Sequence, residues 1–156
     1  MATPPNLFEQ WQRLHPKICG KWLFSRLLGR MARYSGSISP NVLEITPGRA
    51  VVQMHDRPAV RNHLHSIHAI ALMNLGEIST GLAVLACLGS NRRGIVTNLS
   101  MEYTKKARGT LKATCDFEPP PADFEGPLTV RAQIFDESGD VVSTATAEWT
   151  IGFKPK

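Results

Sequence analysis

Between Asn62 and Leu88 the chain reads NHLHSIHAIALMNLGEISTGLAVLACL, an almost unbroken apolar run. One carboxylate, Glu77, sits near its middle, and no other Asp or Glu lies between Asp56 and Glu102. From about Ser66 the run reads as a helix that is apolar on all sides, and such a helix must be enclosed by other elements. An unpaired carboxylate inside it is costly, so the position needs a partner or a chemical role. The run approaches the ~20 residues that cross a membrane. His68, Asn74 and Glu77 argue against that reading, since a centred carboxylate costs ~3 kcal/mol even on a permissive insertion scale. Strand-like sequence on both sides points instead to a central core helix.

The 156 residues suit one domain. Residues 1–34 form a basic helical segment ahead of a main unit over 35–156. Residues 6–33 read as two helical pieces broken at His15-Pro16-Lys17. In the second piece Leu23, Leu27, Met31 and Tyr34 share one face, with Trp22, Arg26, Arg30 and Arg33 on the next. The simplest reading is a cover helix with a solvated basic side, and the competing one is contact with a membrane surface or with phosphates. Residues 1–33 carry six Lys or Arg against Glu9 alone, which leaves twelve bases and twelve acids beyond them. The basicity belongs to this segment and not to the fold, and no nucleic-acid partner is expected. Glu9 and Pro16 weaken a transit-peptide reading. Three separated cysteines without a C-x-x-C suggest buried reduced thiols in a cytoplasmic protein.

Short β-branched runs around Thr46-Pro47-Gly48-Arg49 predict a hairpin. Gly89 is the expected cap where the long helix ends. Four strand runs follow, the third alternating Val130, Ala132 and Ile134 against Thr129, Arg131 and Gln133, with a turn at Asp136–Asp140. The expected fold is α+β, in which one antiparallel sheet can enclose the long helix only by curling around it or by pairing with a second subunit.

Asn62, His68-Ala69-Ile70 and Glu77 stand at the spacings of a motif in the hotdog-fold thioesterases, which this chain resembles over roughly residues 35–152. The resemblance is to the phenylacetate-pathway type and related thioesterase-like proteins, and it implies a long central helix wrapped by a curved antiparallel sheet. It implies an acyl-CoA (thioester) hydrolase, with coenzyme A only as part of the substrate and no further cofactor. Glu77 is then the general base or nucleophile, and Asn62 orients the water or the carbonyl. Backbone N–H groups of Ala69 or Ile70 face the developing oxyanion. His68 stands at the helix start, where capping is its simpler role. Asn74, Gly81, Thr97 and Asn98 are the candidate substrate contacts. Acid and oxyanion donor come from different subunits in that family, which implies a homodimer or a dimer of dimers. The family pattern has glycines where Ala69 and Ile70 stand, and a Ser or Thr near Val96.

Other chemistries fit less well. His63, His65 and His68 form H-x-H-x-x-H, but no later histidine completes a metal site. A hydratase pattern would need an acid at Val60. No G-x-S-x-G elbow or phosphate-cradling glycine loop is present. The serious alternative is a non-catalytic acyl- or acyl-CoA-binding protein of the same fold, with the basic helix on a membrane or on coenzyme A phosphates.

Overall fold

The computed structural model describes residues 6–154. Three helices open the chain: α1 (Leu7–Leu14), α2 (Gly20–Met31) and the short α3 (Arg33–Gly36). The hairpin β1 (Asn41–Thr46) and β2 (Arg49–Met54) follows, then a 3-10 turn at Pro58–Val60 and the long helix α4 (Ala69–Leu85). Strands β3 (Arg92–Tyr103), β4 (Leu111–Asp116), β5 (Gly126–Phe135) and β6 (Val141–Phe153) complete one antiparallel sheet in the order β1-β2-β4-β5-β6-β3. This is the hotdog arrangement. The strand after α4 crosses to the far edge of the sheet, so helix and sheet wrap one core.

Period-two alternation explains how the sheet faces α4. Val130, Ala132 and Ile134 of β5, and Ala145, Ala147, Trp149 and Ile151 of β6, are buried on the helix side. Many of these are alanines, so the helix lies close. At Gly76 a side chain's Cβ would stand 2.5 Å from the Ala145 Cβ, a distance only glycine allows without movement. The other side of α4 is covered by α1–α3, which add Trp11, Phe24 and Leu28 to the same core. Asn74 secures that cover by donating to the Tyr34 carbonyl at 3.0 Å.

Several local expectations change. The buried face of α2 is Gly20, Phe24, Ser25 and Leu28, while Leu23, Met31 and Tyr34 are exposed. Apolar residues lie on two sides of this helix, and Ser25 decides between them. Its hydroxyl donates to the Lys21 carbonyl and accepts from the Val42 N–H, tying that side of α2 to β1. Helix α4 begins at Ala69, three residues later than Ser66, because His68 is its N-cap in extended conformation. It ends at Leu85, with Ala86 and not Gly89 as its C-cap. Of the three free cysteines only Cys115 is buried; Cys87 is half-buried and Cys19 exposed. Among the described residues no helix is long and apolar enough to cross a membrane.

Candidate active site

Glu77 is the middle residue of α4, where the cover helices meet β6. It is half-buried, and its carboxylate makes no hydrogen bond or ion pair among the described residues. Burial alone pushes its carboxyl above the ordinary glutamate value. The carboxylate opens on an apolar cleft of about 300 Å³, walled by Leu28 and Met31 of α2, Gly81 and Leu82 of α4, and Trp149 of β6. The missing side chain of Gly81 keeps the cleft open, since a Cβ there would stand 3.3 Å from the Trp149 ring and 3.9 Å from Glu77 Oε1. The Trp149 indole Nε1 is buried without a partner among the described residues.

The start of α4 holds a second group of polar atoms. The loop before it is fastened by the Asp56–Arg61 ion pair at 2.6 Å. The Gly109 N–H also donates to Asp56 at 3.0 Å, and these two contacts hold the Asp56 carboxyl below the usual range. Within the loop Asn62 Oδ1 accepts from the Leu64 N–H, the Ser66 N–H and the Ser66 hydroxyl. The oxygen is therefore spent on the loop. The amide NH₂ makes no hydrogen bond among the described residues. His68 Nδ1 accepts from the Ile70 N–H at 3.1 Å, which fixes the ring and uses that donor. The Ala69 N–H, one of the unpartnered first-turn donors, makes no hydrogen bond among the described residues. Asn62 and Ala69 line one open depression of about 360 Å³ with Leu72 and Tyr103. The Tyr103 hydroxyl donates to the Ala69 carbonyl at 3.1 Å.

The structure thus sorts the sequence candidates into two places. Glu77 and Gly81 share the apolar cleft, while Asn62 and Ala69 share the depression at the helix start. Ile70 turns its side chain to solvent, 51 % exposed, and its N–H is occupied. Asn74 is engaged with α3. Thr97 donates to the Glu148 carbonyl at 3.1 Å, and the Asn98 amide reaches the Glu148 carboxylate at 3.5 Å. Both lie at the β-bulge after Val96, exposed, and neither lines the Glu77 cleft. Among the described residues no group of three His, Cys, Asp or Glu side chains stands close enough to hold a metal.

Sequence reasoning missed Trp149, Leu28 and Met31 as walls of the cleft. A signal existed for the first, because the inward alternation of β6 reaches Trp149 two residues after Ala147. None existed for the other two, whose placement depends on how α2 lies across α4.

Solved structures share this architecture. A genomics target matches with 28% identity and a TM-score of 0.84, covering 95% of this chain and 99% of its own. A Pseudomonas aeruginosa protein, named as a probable thioesterase, matches with 20% identity and a TM-score of 0.76, covering 85% and 95% of the two chains. A mutant of a thioesterase enzyme from Staphylococcus aureus subsp. aureus Mu50 matches with 14% identity and a TM-score of 0.69, over 79% and 99%. No curated protein sequence matches the chain. The family described as "Domain of unknown function (DUF4442)" matches residues 20–151, from the first residue of α2 into β6, and the chain belongs to that family.

Proposed function

We propose that the protein hydrolyses acyl thioesters of the acyl-CoA type, with Glu77 as general base and the Ala69 N–H as donor to the thioester carbonyl oxygen. The carrying observation is the division of polar groups within one protomer. An unpartnered carboxylate faces an apolar cleft, and an unpartnered donor, the Ala69 N–H, lies eight residues earlier on the same helix. Eight helical residues rise about 12 Å, too far for both groups to act on one carbonyl. A second copy must bring its donors to the first copy's carboxylate, so the working unit is a homodimer, and two dimers can pair again. Edge strand β3 is twelve residues long, and its outer side is unpaired among the described residues. It is the surface on which such pairing would form.

Glu77 takes a proton from water as the water oxygen bonds to the acyl carbon. Its raised affinity for protons makes it a stronger acceptor near neutral pH. The carbonyl oxygen, now negative, is held by the Ala69 N–H and the positive end of α4. The C–S bond then breaks and the proton passes to the departing thiolate. The free Asn62 amide donates to the water or the carbonyl oxygen, and Gly81 leaves room for the acyl chain. His68 positions the helix start. Asn74, Thr97 and Asn98 are left out of this proposal. Coenzyme A enters as part of the substrate, and no other cofactor is required.

The Staphylococcus aureus neighbour supports the assignment, since its mutants alter a glutamine and a glutamate fifteen residues apart. The same interval separates Asn62 from Glu77. Side chains at Ala69 and Ile70, where the resembled motif has glycines, favour the second reading, an acyl-CoA-binding protein without hydrolysis. Thiol release from a panel of acyl-CoA esters, with Glu77→Gln as control, separates the two. Release by the parent protein alone supports hydrolysis, and binding without release supports the second reading. A stable monomer at micromolar concentration in sedimentation would overturn the two-subunit site.

A further inference from the structure

We propose that the outward face of α2, with the α1–α2 corner, docks the protein onto an anionic lipid surface. Phe24 and Leu28 turn one side of α2 into the core. Trp22, Arg26 and Arg30 recur at four-residue spacing on the opposite side, with Leu23 beside them. Ile18 is 98% exposed, Trp22 60% and Leu23 42%, so this face presents large apolar groups to water.

The exposure of Ile18 is built into the corner. Lys17 and Gly20 donate backbone hydrogen bonds to the carbonyls of Leu14 and Lys17, and Cys19 takes a left-handed φ of 60°. Gly20 packs so closely that a Cβ there would meet the Leu14 carbonyl oxygen at 1.7 Å. The turn is therefore tight, with Ile18 at its tip.

The charges select the occupant. From Gln10 to Leu43 the chain has six Lys or Arg and no acid. All six are exposed, and none forms an ion pair among the described residues. Glu9, the nearest acid before them, is occupied in the Asn6 capping box. Arg26 stacks over Trp22, 5.6 Å from the ring centroid, an aromatic-and-cation pairing suited to the interfacial layer of a bilayer. An open cleft of about 270 Å³ lies between this side of α2 and the start of β1, bordered by Arg26, Arg30, Ser39 and Asn41. It offers cationic and hydroxyl donors to a phosphate headgroup. A second copy of the chain would bring the same positive charge and repel. A nucleic acid would leave Ile18 and Leu23 without apolar contact.

The full chain is tested by co-sedimentation with vesicles of phosphatidylcholine alone and of phosphatidylcholine mixed with phosphatidylglycerol. Binding is expected only to the mixed vesicles, falling steeply with salt. Arg26→Gln with Arg30→Gln should weaken it about twenty-five-fold, at about fivefold per charge near an anionic surface. Ile18→Ser with Trp22→Ser should weaken it about a hundredfold, on the scale of two lost apolar insertions. Brominated-lipid quenching of the unsubstituted protein is an independent readout that needs no variant. Trp11 and Trp149 are buried, so quenching reports Trp22. Hydrolysis of soluble acyl-CoA should be unchanged in these variants, which separates this proposal from the catalytic one. Equal binding to neutral vesicles, no binding to either kind, retained binding in both double variants, absent quenching, or retention of a DNA duplex without vesicle binding would each overturn it.

Discussion

Glu77→Gln tests the site most directly, because it keeps the side-chain volume and removes only the charge. In the folded protein burial is the one cause acting on this carboxyl, and it raises the pKa. The native state therefore holds a proton at Glu77 more tightly than the unfolded chain does. The stability linked to that proton is full below the ordinary value of 4.5 and is lost as pH rises through the folded value. The glutamine variant has no such dependence. The two proteins should melt together in acid below that window, and the variant should melt higher at neutral pH. Burying a carboxylate's charge costs more than burying a neutral amide, and at half-burial the difference is about 1 kcal/mol. For a chain of this size that corresponds to a melting temperature about 2–4 °C higher. Turnover should fall about a hundredfold or more, the scale for losing a positioned base. In the parent protein kcat/KM should rise with pH to a plateau above the ordinary glutamate value. Substrate affinity, read by calorimetry with the inactive variant, should persist. A variant that keeps its rate and melts lower would show that Glu77 belongs to an ion pair with the partner subunit. The catalytic assignment would then be wrong.

Two glycines of α4 should respond differently to alanine. Gly76→Ala gains about 1 kcal/mol of helix propensity but forces its Cβ against Ala145, an overpacking that costs about 1–3 kcal/mol. Both atoms are anchored to backbone, so the melting temperature should fall, and an increase would contradict the close helix–sheet contact. Gly81→Ala meets the Trp149 ring at 3.3 Å and Glu77 Oε1 at an ordinary contact distance of 3.9 Å, so folding should hold while KM rises, most for bulky acyl groups. An unchanged KM across an acyl series would remove this cleft from the acyl path. Ser143→Ala should leave the melting temperature equal or higher, because the buried hydroxyl has no partner among the described residues. In thiol titration of the native protein Cys19 should react first, while Cys115, buried and with its thiol pushed up to about 12, should react only on unfolding. Early modification of Cys115 would mean that the sheet opens there.

The elements that the sequence makes legible are those whose signal is complete within a short window. The apolar run after Ser66, interrupted by His68, Asn74 and Glu77, reads as an enclosed helix and not as a membrane span. The Thr46–Arg49 turn between β-branched runs could only be a hairpin, and the period of Val130, Ala132 and Ile134 assigned a buried face without reference to the rest of the molecule. Glu77 stood out for the same reason, as one charge against a uniform background. The tertiary structure decided whatever had two local solutions. Helix α2 carries apolar residues on two sides, and its buried side was chosen by the bond from Val42 to Ser25. The cleft over Glu77 exists because α2 crosses α4 and Trp149 arrives from β6. Which donors remain free at the helix start depended on hydrogen bonds that compete for the same atoms. His68 takes the Ile70 N–H and the loop takes the Asn62 oxygen, leaving the Ala69 N–H and the Asn62 amide. A linear pattern records where polar atoms are but not which of them are already satisfied, because that depends on distances between residues brought together only by folding.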